Sequence, residues 1–512
     1  MRLVVGLAAA LALAGVALAI AERRSPPARP PIVFVVFDAL PESMLMKPGG
    51  DLDRQRFPGF AQLARHATWY RNATAVHDST VKSIPAMLDG RWPSNLRRPL
   101  VADHPVNLFT MLRKRYRIWA DEEGTQLCPR SVCKQKRARL LYLLHGRREQ
   151  RFAAALAQIG AASKDTRPPL WFVHVLLPHE PLRFLPSGKV YEGGADPEAA
   201  LDGNESFDNE FLTRQAEQRH LLQLEYTDTL VRRLLTRLRA TGLYDKALVV
   251  ITADHGITFR VKGSPAEPYR LGQIGWRRDM TVHNAHDVAF VPLFVKQPGQ
   301  RDARVDDGWV RTVDILPTLL RQAQEKAVPR AVAGRALGKR RQPPEELEVL
   351  TNRAGLLELD PDALLRKRAA TIAVRAQRFG TGGDVDRLFA VGPNAEMIGR
   401  ALGSFRIRGS SRSARFWGGR RFVDVDLRGP RVPANVIGWL RDRRSSPDRD
   451  LALAVNGRIA AVGRSFRPLG SLGLNFSLLV PESAFRQGFN DLRLYEVSHD
   501  SELRELGRSP RR

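Results

Sequence analysis

Residues 32–38 read Ile-Val-Phe-Val-Val-Phe-Asp, and this stretch decides the fold class. Six consecutive apolar residues, mostly β-branched or aromatic, are followed by a carboxylate. A run of this kind is typical of a central parallel strand that is buried on both faces. The segments Leu170–Leu177, Ala247–Thr252 and Phe290–Val295 repeat the design. The chain is therefore predicted to contain a parallel sheet with polar residues at the carboxyl ends of its strands.

A long amphipathic helix is predicted from about Glu210 to Thr241. Its leucines recur at a spacing near 3.6 residues, and Gly242 lies where a C-terminal cap is expected. Strands that alternate with helices indicate an α/β fold, in which a mostly parallel central sheet is covered by helices on both faces. Ligands bind at the carboxyl ends of the strands in such sheets. Asp38, His179 and Asp254 all fall at predicted strand ends, so they can share one site.

The last third of the chain, from about Asn394, has a different pattern. Short apolar segments are separated by turn residues, and Asn456-Gly457 is a strong signal for a tight hairpin. These features predict a C-terminal all-β module, to which we assign no more than a packing or carbohydrate-binding role. The predicted strands are Phe422–Leu427, Leu451–Val455, Ile459–Val462, Phe476–Val480 and Leu492–Val497.

The same patterns divide the chain into four parts. Residues 1–30 are predicted as a signal peptide or membrane anchor with a proline-rich linker, and residues 31–337 as the α/β domain. Residues 338–393 begin with a stretch rich in Arg, Glu and Pro and are predicted as a linker with a helical segment. Residues 394–512 are predicted as the β-rich module.

The N-terminus and the cysteines indicate an exported protein. An apolar stretch, Leu3–Ala21, follows Arg2 and contains the small-x-small cleavage pattern Ala17-Leu18-Ala19. Its length is near the roughly 20 residues that span a bilayer, so an uncleaved membrane anchor stays open beside export. Cys128 and Cys133 are the only cysteines, and a close pair in an exported chain most simply forms a disulfide. The predicted location is the periplasm or the extracellular face.

The chain is strongly basic. Its 512 residues are 43% hydrophobic and carry a formal net charge of +27, which comes from 81 Lys plus Arg against 54 Asp plus Glu. Such a charge attracts anionic glycans, lipid surfaces or nucleic acid, although a genome base composition that favours Arg codons would also produce it. Because the basic residues are spread along the chain without a nucleic-acid-binding motif, we predict no specific nucleic-acid partner.

Two segments carry the candidate chemistry: residues 78–85, which read Asp-Ser-Thr-Val-Lys-Ser-Ile-Pro, and Ala253–Gly256, which reads Ala-Asp-His-Gly. Asp38, Asp254 and His255 supply two carboxylates and an imidazole, which are ligands for a divalent cation such as Zn²⁺, Mn²⁺, Mg²⁺ or Ca²⁺. The hydroxyl of Thr80 would complete the set and, once activated, act as the nucleophile. One metal ion is predicted, because the sequence offers no second set of His and Asp ligands.

Further residues are predicted to serve the same site. His179 is a candidate catalytic and substrate-binding residue, and His283, Asn284 and Lys82 are candidate substrate-binding residues, as hydrogen-bond donors or, for Lys82, a positive charge. Each role has a structural alternative. Asp38 would also suit a helix cap and Lys82 a solvated surface position. Thr80 would likewise suit a helix cap, and Ser79 is a rival nucleophile one residue before it.

These residues resemble the alkaline phosphatase and sulfatase superfamily, and particularly its exported sulfatase-like members. The resemblance extends from about Pro31 to Leu320 in five ordered segments. They are Val35–Asp38, Thr80-x-x-Ser83-x-Pro85 with Leu88–Gly90, Leu177–Pro181, Thr252–Gly256 and Val291–Lys296. The resemblance implies a central mixed sheet, a nucleophile at the helix start after Asp78, and a divalent metal held by Asp38, Thr80, Asp254 and His255.

The departures from the family pattern bear on the substrate. Sulfatases resemble one another in a Cys or Ser that is oxidised to formylglycine, whereas Thr80 stands at that place here and cannot form that aldehyde. Ala39 follows Asp38 where a second aspartate is usual. The Thr-x-x-Ser-x-Pro segment is similar to phosphoethanolamine and phosphoglycerol transferases, whose threonine forms a phospho-enzyme.

The sequence therefore predicts a metal-dependent hydrolase or phosphotransferase that acts on phosphate or sulfate esters through Thr80. Phosphoester or phosphodiester chemistry is favoured, and sulfuric ester hydrolysis is the alternative. The expected substrate is an anionic ester, either lipid-linked or glycan-linked. A second alternative is a non-catalytic protein that binds an anionic cell-surface polymer.

Overall fold

The structure is a computed structural model that describes residues 29–133, 148–191, 209–261, 277–338, 341–441, 447–467, 473–498 and 502–508. The predicted signal peptide or anchor, Leu3–Ala21, lies outside these residues. In the described ranges, no helix is both long enough and apolar enough to cross a bilayer.

Strands and helices alternate in the first part of the chain, and strands dominate the last part. The strands are β1 (Ile32–Asp38), β2 (Thr68–Thr74), β3 (Arg117–Asp121), β4 (Pro169–Pro178), β5 (Val190–Tyr191), β6 (Leu248–Ala253), β7 (Leu293–Lys296), β8 (Arg304–Arg311), β9 (Leu347–Leu350), β10 (Leu356–Leu359), β11 (Ile407–Phe416), β12 (Arg431–Val432), β13 (Asn435–Arg441), β14 (Asp450–Val455), β15 (Arg458–Arg464), β16 (Leu474–Leu479), β17 (Leu492–Val497) and β18 (Leu503–Arg508). The helices are α1 (Pro58–Ala64), α2 (Thr80–Asp89), α3 (Leu108–Leu112), α4 (Arg148–Gln158), α5 (Glu210–Ala240), α6 (Ala285–Val288), α7 (Ile315–Gln322) and α8 (Pro361–Phe379).

A seven-stranded mixed sheet forms the centre of the α/β part, in the order β3-β4-β1-β6-β7-β2-β8. β1 is parallel to both of its neighbours, with Ile32 in register with Leu170 on β4 and Leu248 on β6. Most of the strand pairs are parallel, which confirms the predicted fold class. Asp38 at the end of β1 is therefore flanked by the carboxyl ends of two parallel strands.

Helices cover both faces of this sheet, as the continuous apolar run in β1 requires. Val33, Val35 and Phe37 belong to one hydrophobic core together with residues of α1, α4, α5 and α8. Ile32, Phe34 and Val36 point to the opposite core, which contains residues of α2, α3 and α7. The predicted long helix corresponds to α5 and is confirmed.

One predicted parallel strand is wrong in direction. β7 (Leu293–Lys296) overlaps the last three residues of the predicted Phe290–Val295 segment, and it runs antiparallel to both β6 and β2. An apolar run shows that both faces of a strand are buried, but burial is the same for either direction of the chain. The sequence pattern therefore could not determine the direction of this strand.

The C-terminal part contains a second seven-stranded sheet, in the order β15-β14-β17-β18-β11-β13-β16. It is antiparallel except for the pair of β11 and β18, and a bridge between Phe466 and Asn475 brings its two edge strands together. This nearly closed sheet confirms the predicted all-β module. The Asn456-Gly457 hairpin joins β14 and β15, with φ of 51° and 83° at its two residues.

One predicted strand of this module differs from the structure, and three strands of the structure were not predicted. The segment predicted as the strand Phe422–Leu427 instead follows a 3-10 turn, Gly419–Phe422, and contributes only one bridge, between Val425 and Gly488. β11, β13 and β18 were not predicted. β11 contains many Arg and Ser residues, and its largely exposed side chains hide the alternation that marks a strand.

The segment between the two parts is more ordered than the predicted linker. It contains the hairpin of β9 and β10 and the helix α8, whose arginines reach into the α/β part. Arg368 forms a buried ion pair with Glu42 at 2.8 Å, and Arg375 forms one with Glu217 at 2.9 Å. The four domain boundaries stay predictions.

The long helix α5 also contacts the β-rich module. Gln215 donates a hydrogen bond to the carbonyl of Ser477 at 2.7 Å, and the buried Arg219 donates to Asn435 and to the Ser477 hydroxyl at 3.0 and 2.8 Å. The larger hydrophobic core contains residues of both parts. The two sheets are therefore joined through one buried interface.

Candidate active site

The four residues predicted as metal ligands lie together at the carboxyl edge of the central sheet. Asp38 ends β1, Asp254 and His255 follow β6 directly, and Thr80 is the first residue of α2. The Thr80 hydroxyl lies 3.4 Å from Asp38 Oδ2 and 3.2 Å from His255 Nε2. His255 Nε2 is 3.5 Å from Asp254 Oδ2. Residues from three separate segments of the sequence thus form one cluster.

His174 belongs to the same cluster, although sequence reasoning missed it. It lies within β4 opposite Val36 of β1, and its Nε2 atom is 3.8 Å from Asp38 Oδ2. One ligand atom each from Asp38, His174 and Asp254 lies within 4.8 Å of the other two. The available signal was a single imidazole inside an otherwise apolar strand, where burial is costly unless the polar group has a partner.

The atoms of this cluster fit a cation. Asp38 Oδ1, His174 Nε2 and Asp254 Oδ2 are buried, and none has a hydrogen-bond partner among the described residues. Leaving buried carboxylate and imidazole atoms without partners is unfavourable, and native proteins rarely do it. Carboxylate oxygen and imidazole nitrogen are common ligands of divalent metal ions. The cluster therefore has both the atoms and the unsatisfied bonding capacity of a metal site.

Backbone carbonyls orient the two imidazoles. His174 Nδ1 lies 2.6 Å from the carbonyl of Glu123, and His255 Nδ1 lies 2.8 Å from the carbonyl of Gly256. A carbonyl oxygen only accepts hydrogen bonds, so each Nδ1 carries a proton and Nε2 is the ring nitrogen left to bind a metal ion. Outer hydrogen bonds of this kind fix the ring orientation of metal-binding histidines.

Asp254 is held so that only one of its oxygens faces the cluster. Its Oδ1 atom accepts hydrogen bonds from the backbone amides of His255 at 2.7 Å and Ala39 at 3.2 Å. Ala39 adopts a left-handed conformation with φ of 58°, which is unfavourable for a residue with a Cβ atom. Its carbonyl accepts a hydrogen bond from the buried His220 Nε2 at 3.0 Å. The strained turn after Asp38 thus directs Asp254 Oδ2 toward the site.

Burial sets the protonation states in the cluster. It lowers the pKa of His255 to about 4, against the opposing charge of Asp38. It raises the pKa of Asp254, although the hydrogen bonds from the amides of His255 and Ala39 oppose this shift. His255 is therefore neutral at pH 7, and its Nε2 lone pair is available beside the Thr80 hydroxyl.

The start of α2 is anchored by the residue that precedes Ser79. The buried Asp78 accepts hydrogen bonds from the amides of Met280 and Asn352, each at 2.9 Å. Ser83 donates to the carbonyl of Asp254 at 2.5 Å, so it connects the helix to the end of β6. Within the described part, the hydroxyl that reaches Asp38 and His255 is that of Thr80. A group bound beside it would also face the amides of a helix N-terminus, which favour anions.

His179 lies in the loop after β4, where its backbone is held firmly. Arg148 donates hydrogen bonds to the carbonyls of His179 and Glu180, both at 2.6 Å. Gln223 of α5 donates to the carbonyls of Pro178 and His179, both at 2.9 Å. These contacts place the His179 side chain beside the end of β4.

The His179 imidazole has two polar neighbours. Its Nδ1 atom lies 2.6 Å from the Glu180 carbonyl, so Nδ1 carries a proton, and Arg278 Nη1 lies 3.2 Å from Nε2. Burial by itself would lower the pKa of His179, but the charges of Glu180 and Asp38 outweigh it and raise the pKa.

The other predicted substrate-binding residues have different surroundings. Lys82 donates to the carbonyls of Asn95 and Arg97 at 2.8 and 2.6 Å. Asn284 accepts from the Thr281 amide at 2.7 Å and donates to the Asp279 carbonyl at 3.0 Å. His283 is partly exposed in the turn next to Asn284. Nothing among the described contacts of Lys82 or Asn284 reaches the Asp38 cluster, and substrate binding by these three residues stays a prediction.

The fold and the cluster define an alkaline phosphatase-like α/β protein with a candidate metal site at the carboxyl edge of its sheet. The chain belongs to the Sulfatase family, because the sequence profile of that family matches residues 30–325. This match confirms the resemblance that the sequence segments indicated.

Individual relatives are distant. The chain is 26% identical over 166 residues to the multifunctional alkaline phosphatase superfamily protein PehA of Trinickia caryophylli, which covers 32% of this chain and 28% of PehA. It is 28% identical over 181 residues to an ulvan-active sulfatase of Formosa agariphila, which covers 35% of this chain and 32% of the relative. The chain thus matches about a third of the length of these curated relatives.

Solved structures show a similar outline. The phosphonate monoester hydrolase of Silicibacter pomeroyi is 20% identical, with a TM-score of 0.39 over 69% of this chain and 83% of that one. A 2-O GAG sulfatase is 16% identical, with a TM-score of 0.45 over 64% of this chain and 79% of that one.

Proposed function

We propose that this protein is a metal-dependent hydrolase or phosphotransferase of the Sulfatase family that uses the Thr80 hydroxyl as its nucleophile on an anionic ester. The observation that carries the proposal is the set of three buried atoms without partners, Asp38 Oδ1, His174 Nε2 and Asp254 Oδ2, beside a hydroxyl at a helix start. A protein that only binds a polymer has no need of this arrangement.

Asp38, Asp254 and His174 would hold the cation, with the Thr80 oxygen at its edge. His255 is assigned here as the base and not as the ligand that the sequence predicts, because its one free lone pair cannot both bind a metal ion and accept a proton. When bound, a divalent cation acts as a Lewis acid that lowers the pKa of a hydroxyl and offsets negative charge on the ester. His255 Nε2, 3.2 Å from the Thr80 hydroxyl, is placed to accept its proton. Zn²⁺, Mn²⁺, Mg²⁺ and Ca²⁺ are all compatible with these ligand types.

The reaction would proceed in two steps. The Thr80 oxygen forms a bond to phosphorus as the bond to the leaving oxygen breaks, and the Thr80 proton passes to His255. His179, with Arg278 beside it, would donate hydrogen bonds to the transferring group or protonate the leaving oxygen. Water or an acceptor alcohol then takes the group from Thr80, whose hydroxyl recovers its proton. The acceptor decides between hydrolase and transferase.

A phosphorus ester is the favoured substrate because of the residue at position 80. Threonine cannot be converted into the aldehyde that sulfatases use, whereas its hydroxyl can carry a phosphoryl group. Sulfate ester hydrolysis remains the second candidate. The Sulfatase family match and the relative described as an ulvan-active sulfatase favour it.

We further propose that the protein works outside the cytoplasm on a lipid-linked or glycan-linked ester. The disulfide between Cys128 and Cys133 supports this location, because such bonds persist in oxidising compartments. A relative described as an extracellular sulfatase homologue in Drosophila melanogaster is also similar, with 30% identity over 114 residues, 22% of this chain and 9% of the relative.

Thr80→Ala tests the proposal, with Ser79→Ala as the matched control. Turnover of nitrophenyl phosphate, bis-nitrophenyl phosphate and nitrophenyl sulfate would be measured with each metal ion and with chelator. We expect Thr80→Ala to lose at least about 1,000-fold in kcat, because no other hydroxyl contacts His255 in the described part. Ser79→Ala should stay within about threefold of the parent protein.

Trapping the intermediate separates the alternatives. Mass spectrometry of the denatured enzyme after a rapid quench should find a phosphoryl group on the peptide that contains Thr80.

The turnover measurements have further outcomes. Turnover of the sulfate ester alone would contradict the phosphoester proposal and support sulfate ester hydrolysis. Full activity in Thr80→Ala would contradict the nucleophile assignment. A polymer affinity that is salt-sensitive, unaffected by chelator and accompanied by no turnover of any ester would support the non-catalytic alternative.

A further inference from the structure

A groove in the β-rich module has no role in the proposed chemistry. Its volume is about 590 Å³, and it lies between the end of β11, the turn Gly419–Phe422 and the loop before β17. The lining includes Arg415, Arg420, Phe422 and Phe489. A cavity of this size holds a small ligand or one or two sugar rings of a longer chain.

Exposed hydrophobic side chains gather at this groove. Phe489 is 54% exposed, Val423 is 56% exposed, and Trp417 beside them is 42% exposed. Trp417 also makes an edge contact with Trp439, with ring centroids 5.8 Å apart. Large apolar side chains that cluster on a surface mark an interaction site more often than isolated ones do. The rings of Phe489 and Trp417 offer flat faces on which another ring can stack.

Positive charge accompanies the aromatic rings. The guanidinium of Arg415 lies over the Trp439 ring, with its carbon atom 5.3 Å from the ring centroid. Arg420 is exposed on the turn and makes no ion pair within the described part of the chain. Of the nearby acidic groups, Asp491 is paired with Arg493 at 2.9 Å, while Asp424 is exposed after Val423. The groove therefore combines ring-stacking surfaces with guanidinium groups that bind sulfate, phosphate or carboxylate in a bidentate manner.

We propose that this groove binds an anionic polysaccharide, with sugar rings on the aromatic side chains and acidic groups on Arg415 and Arg420. Single-stranded nucleic acid would use similar contacts, but the Cys128–Cys133 disulfide indicates a compartment where glycans are the more available polymer. A lipid surface would be met by a protruding apolar face, whereas these side chains line a concave groove.

The groove is connected to the loop that follows His179. The chain continues from the groove to Leu427, whose carbonyl accepts a hydrogen bond from Lys189 at 2.9 Å, and then to β12, which pairs with β5. The chain that leaves the groove therefore pairs with the chain that follows the His179 loop.

The test measures binding of fluorescein-labelled dextran sulfate by the full chain, with neutral dextran as the ligand control. We expect Arg415→Gln with Arg420→Gln to weaken binding about tenfold and to reduce the salt slope by about 1 to 2. Phe489→Ser should weaken it about fivefold without a change in charge. Arg504→Gln and Ile407→Ser are the matched controls, since both residues are exposed elsewhere in the same module.

Each outcome has a defined meaning. Selective loss of dextran sulfate binding in the groove variants, with unchanged thermal unfolding and unchanged turnover of small esters, supports the proposal. Equal binding by the groove and control variants would overturn it. The protein could instead bind single-stranded DNA or phosphatidylglycerol vesicles more tightly than dextran sulfate. If the groove variants lost that binding, the DNA or the lipid surface would replace the glycan as the assigned ligand. Binding does not require turnover, so this test stands apart from that of the Thr80 mechanism.

Discussion

At the scale of single residues, His174 is the most informative position in the candidate site. It lies inside an apolar strand, its Nδ1 proton is used by the Glu123 carbonyl, and its Nε2 atom has no partner among the described residues. Burying an imidazole in this way is costly unless its free nitrogen is bound. The physical argument for metal binding is therefore stronger at His174 than at any exposed histidine.

Removing His174 should remove the metal. We expect His174→Ala to lower metal affinity by at least about 100-fold, because one of three ligands in a buried site is lost. Metal content after dialysis, measured by inductively coupled plasma mass spectrometry, checks this directly and needs no substrate. His66→Ala is the control, since the described contact of His66 is with Tyr244 and not with the Asp38 cluster. Equal metal content in the two variants would exclude His174 as a ligand.

His220 should make stability depend on pH. Burial lowers the pKa of His220 to about 3, from an ordinary value near 6.5 in the unfolded chain. Below pH 6.5 the unfolded state binds a proton that the folded state resists, so the free energy of unfolding falls between pH 6.5 and pH 3. At pH 5 the titration of His220 should lower the free energy of unfolding by about 2 kcal/mol relative to pH 7.

Comparison with His220→Gln isolates this effect from other titrating groups. Glutamine can still donate to the Ala39 carbonyl but does not titrate. Urea unfolding in the presence of chelator at pH 7 and pH 5 should show a loss of stability that is about 2 kcal/mol larger in the parent protein. Equal losses in both proteins would mean that His220 does not hold a depressed pKa.

At the scale of elements, α5 does more than cover the sheet. Gln223 lies in the buried face of this helix and makes four hydrogen bonds to the loop after β4. It donates to the carbonyls of Pro178 and His179 and accepts from the amides of Arg183 and Phe184. The helix therefore determines the path of the chain on both sides of Glu180.

Gln223→Leu should loosen this loop. We expect the free energy of unfolding to fall by about 3 kcal/mol, because buried carbonyl and amide groups lose their partners. We also expect kcat on a nitrophenyl ester to fall while metal content stays the same, because His179 is no longer held. Denaturant unfolding, metal analysis and kinetics check the three parts.

Thr236→Ala is the matched control for this change, since Thr236 is exposed on the same helix. It should leave stability within about 0.5 kcal/mol and turnover unchanged. Similar losses of stability in the two variants would mean that the contacts of Gln223 do not explain the effect, because alanine favours a helix more than threonine does.

At the scale of the whole molecule, the α/β part and the β-rich module share a core. This core includes Phe37 and Tyr226 of the α/β part and Leu478 and Leu494 of the β-rich module. Arg219 of α5 adds hydrogen bonds to Asn435 and Ser477, both fully buried. A shared core of this kind predicts that neither part is stable alone.

A truncated protein of residues 29–393 tests this prediction. Removing the module would expose the apolar and polar groups that it covers, so we expect aggregation on size-exclusion chromatography and no cooperative thermal unfolding. Residues 29–512 are the control and should unfold cooperatively. A monodisperse truncated protein with the stability of the control would show that the module is an independent appendage.

Much of the architecture could be predicted because its signals are local. Three of these signals reflect constraints on a few neighbouring residues. They are the apolar run of β1, the leucine spacing of α5 with Gly242 just after the helix, and the Asn456-Gly457 hairpin. The strand β11 was missed because its side chains are largely exposed and polar, so burial left no alternation in the sequence.

Asp38, Thr80, Asp254 and His255 could be found from the sequence because they stand at strand ends and a helix start, where a polar residue interrupts a local pattern. By itself the sequence thus determined the α/β class, the central strands β1, β4 and β6, the long helix α5 and most of the cluster. Only the tertiary structure decided the direction of β7, the addition of His174 and the groove in the β-rich module. Those features depend on register and contact between distant segments, and no pattern within one segment records which neighbour will face it.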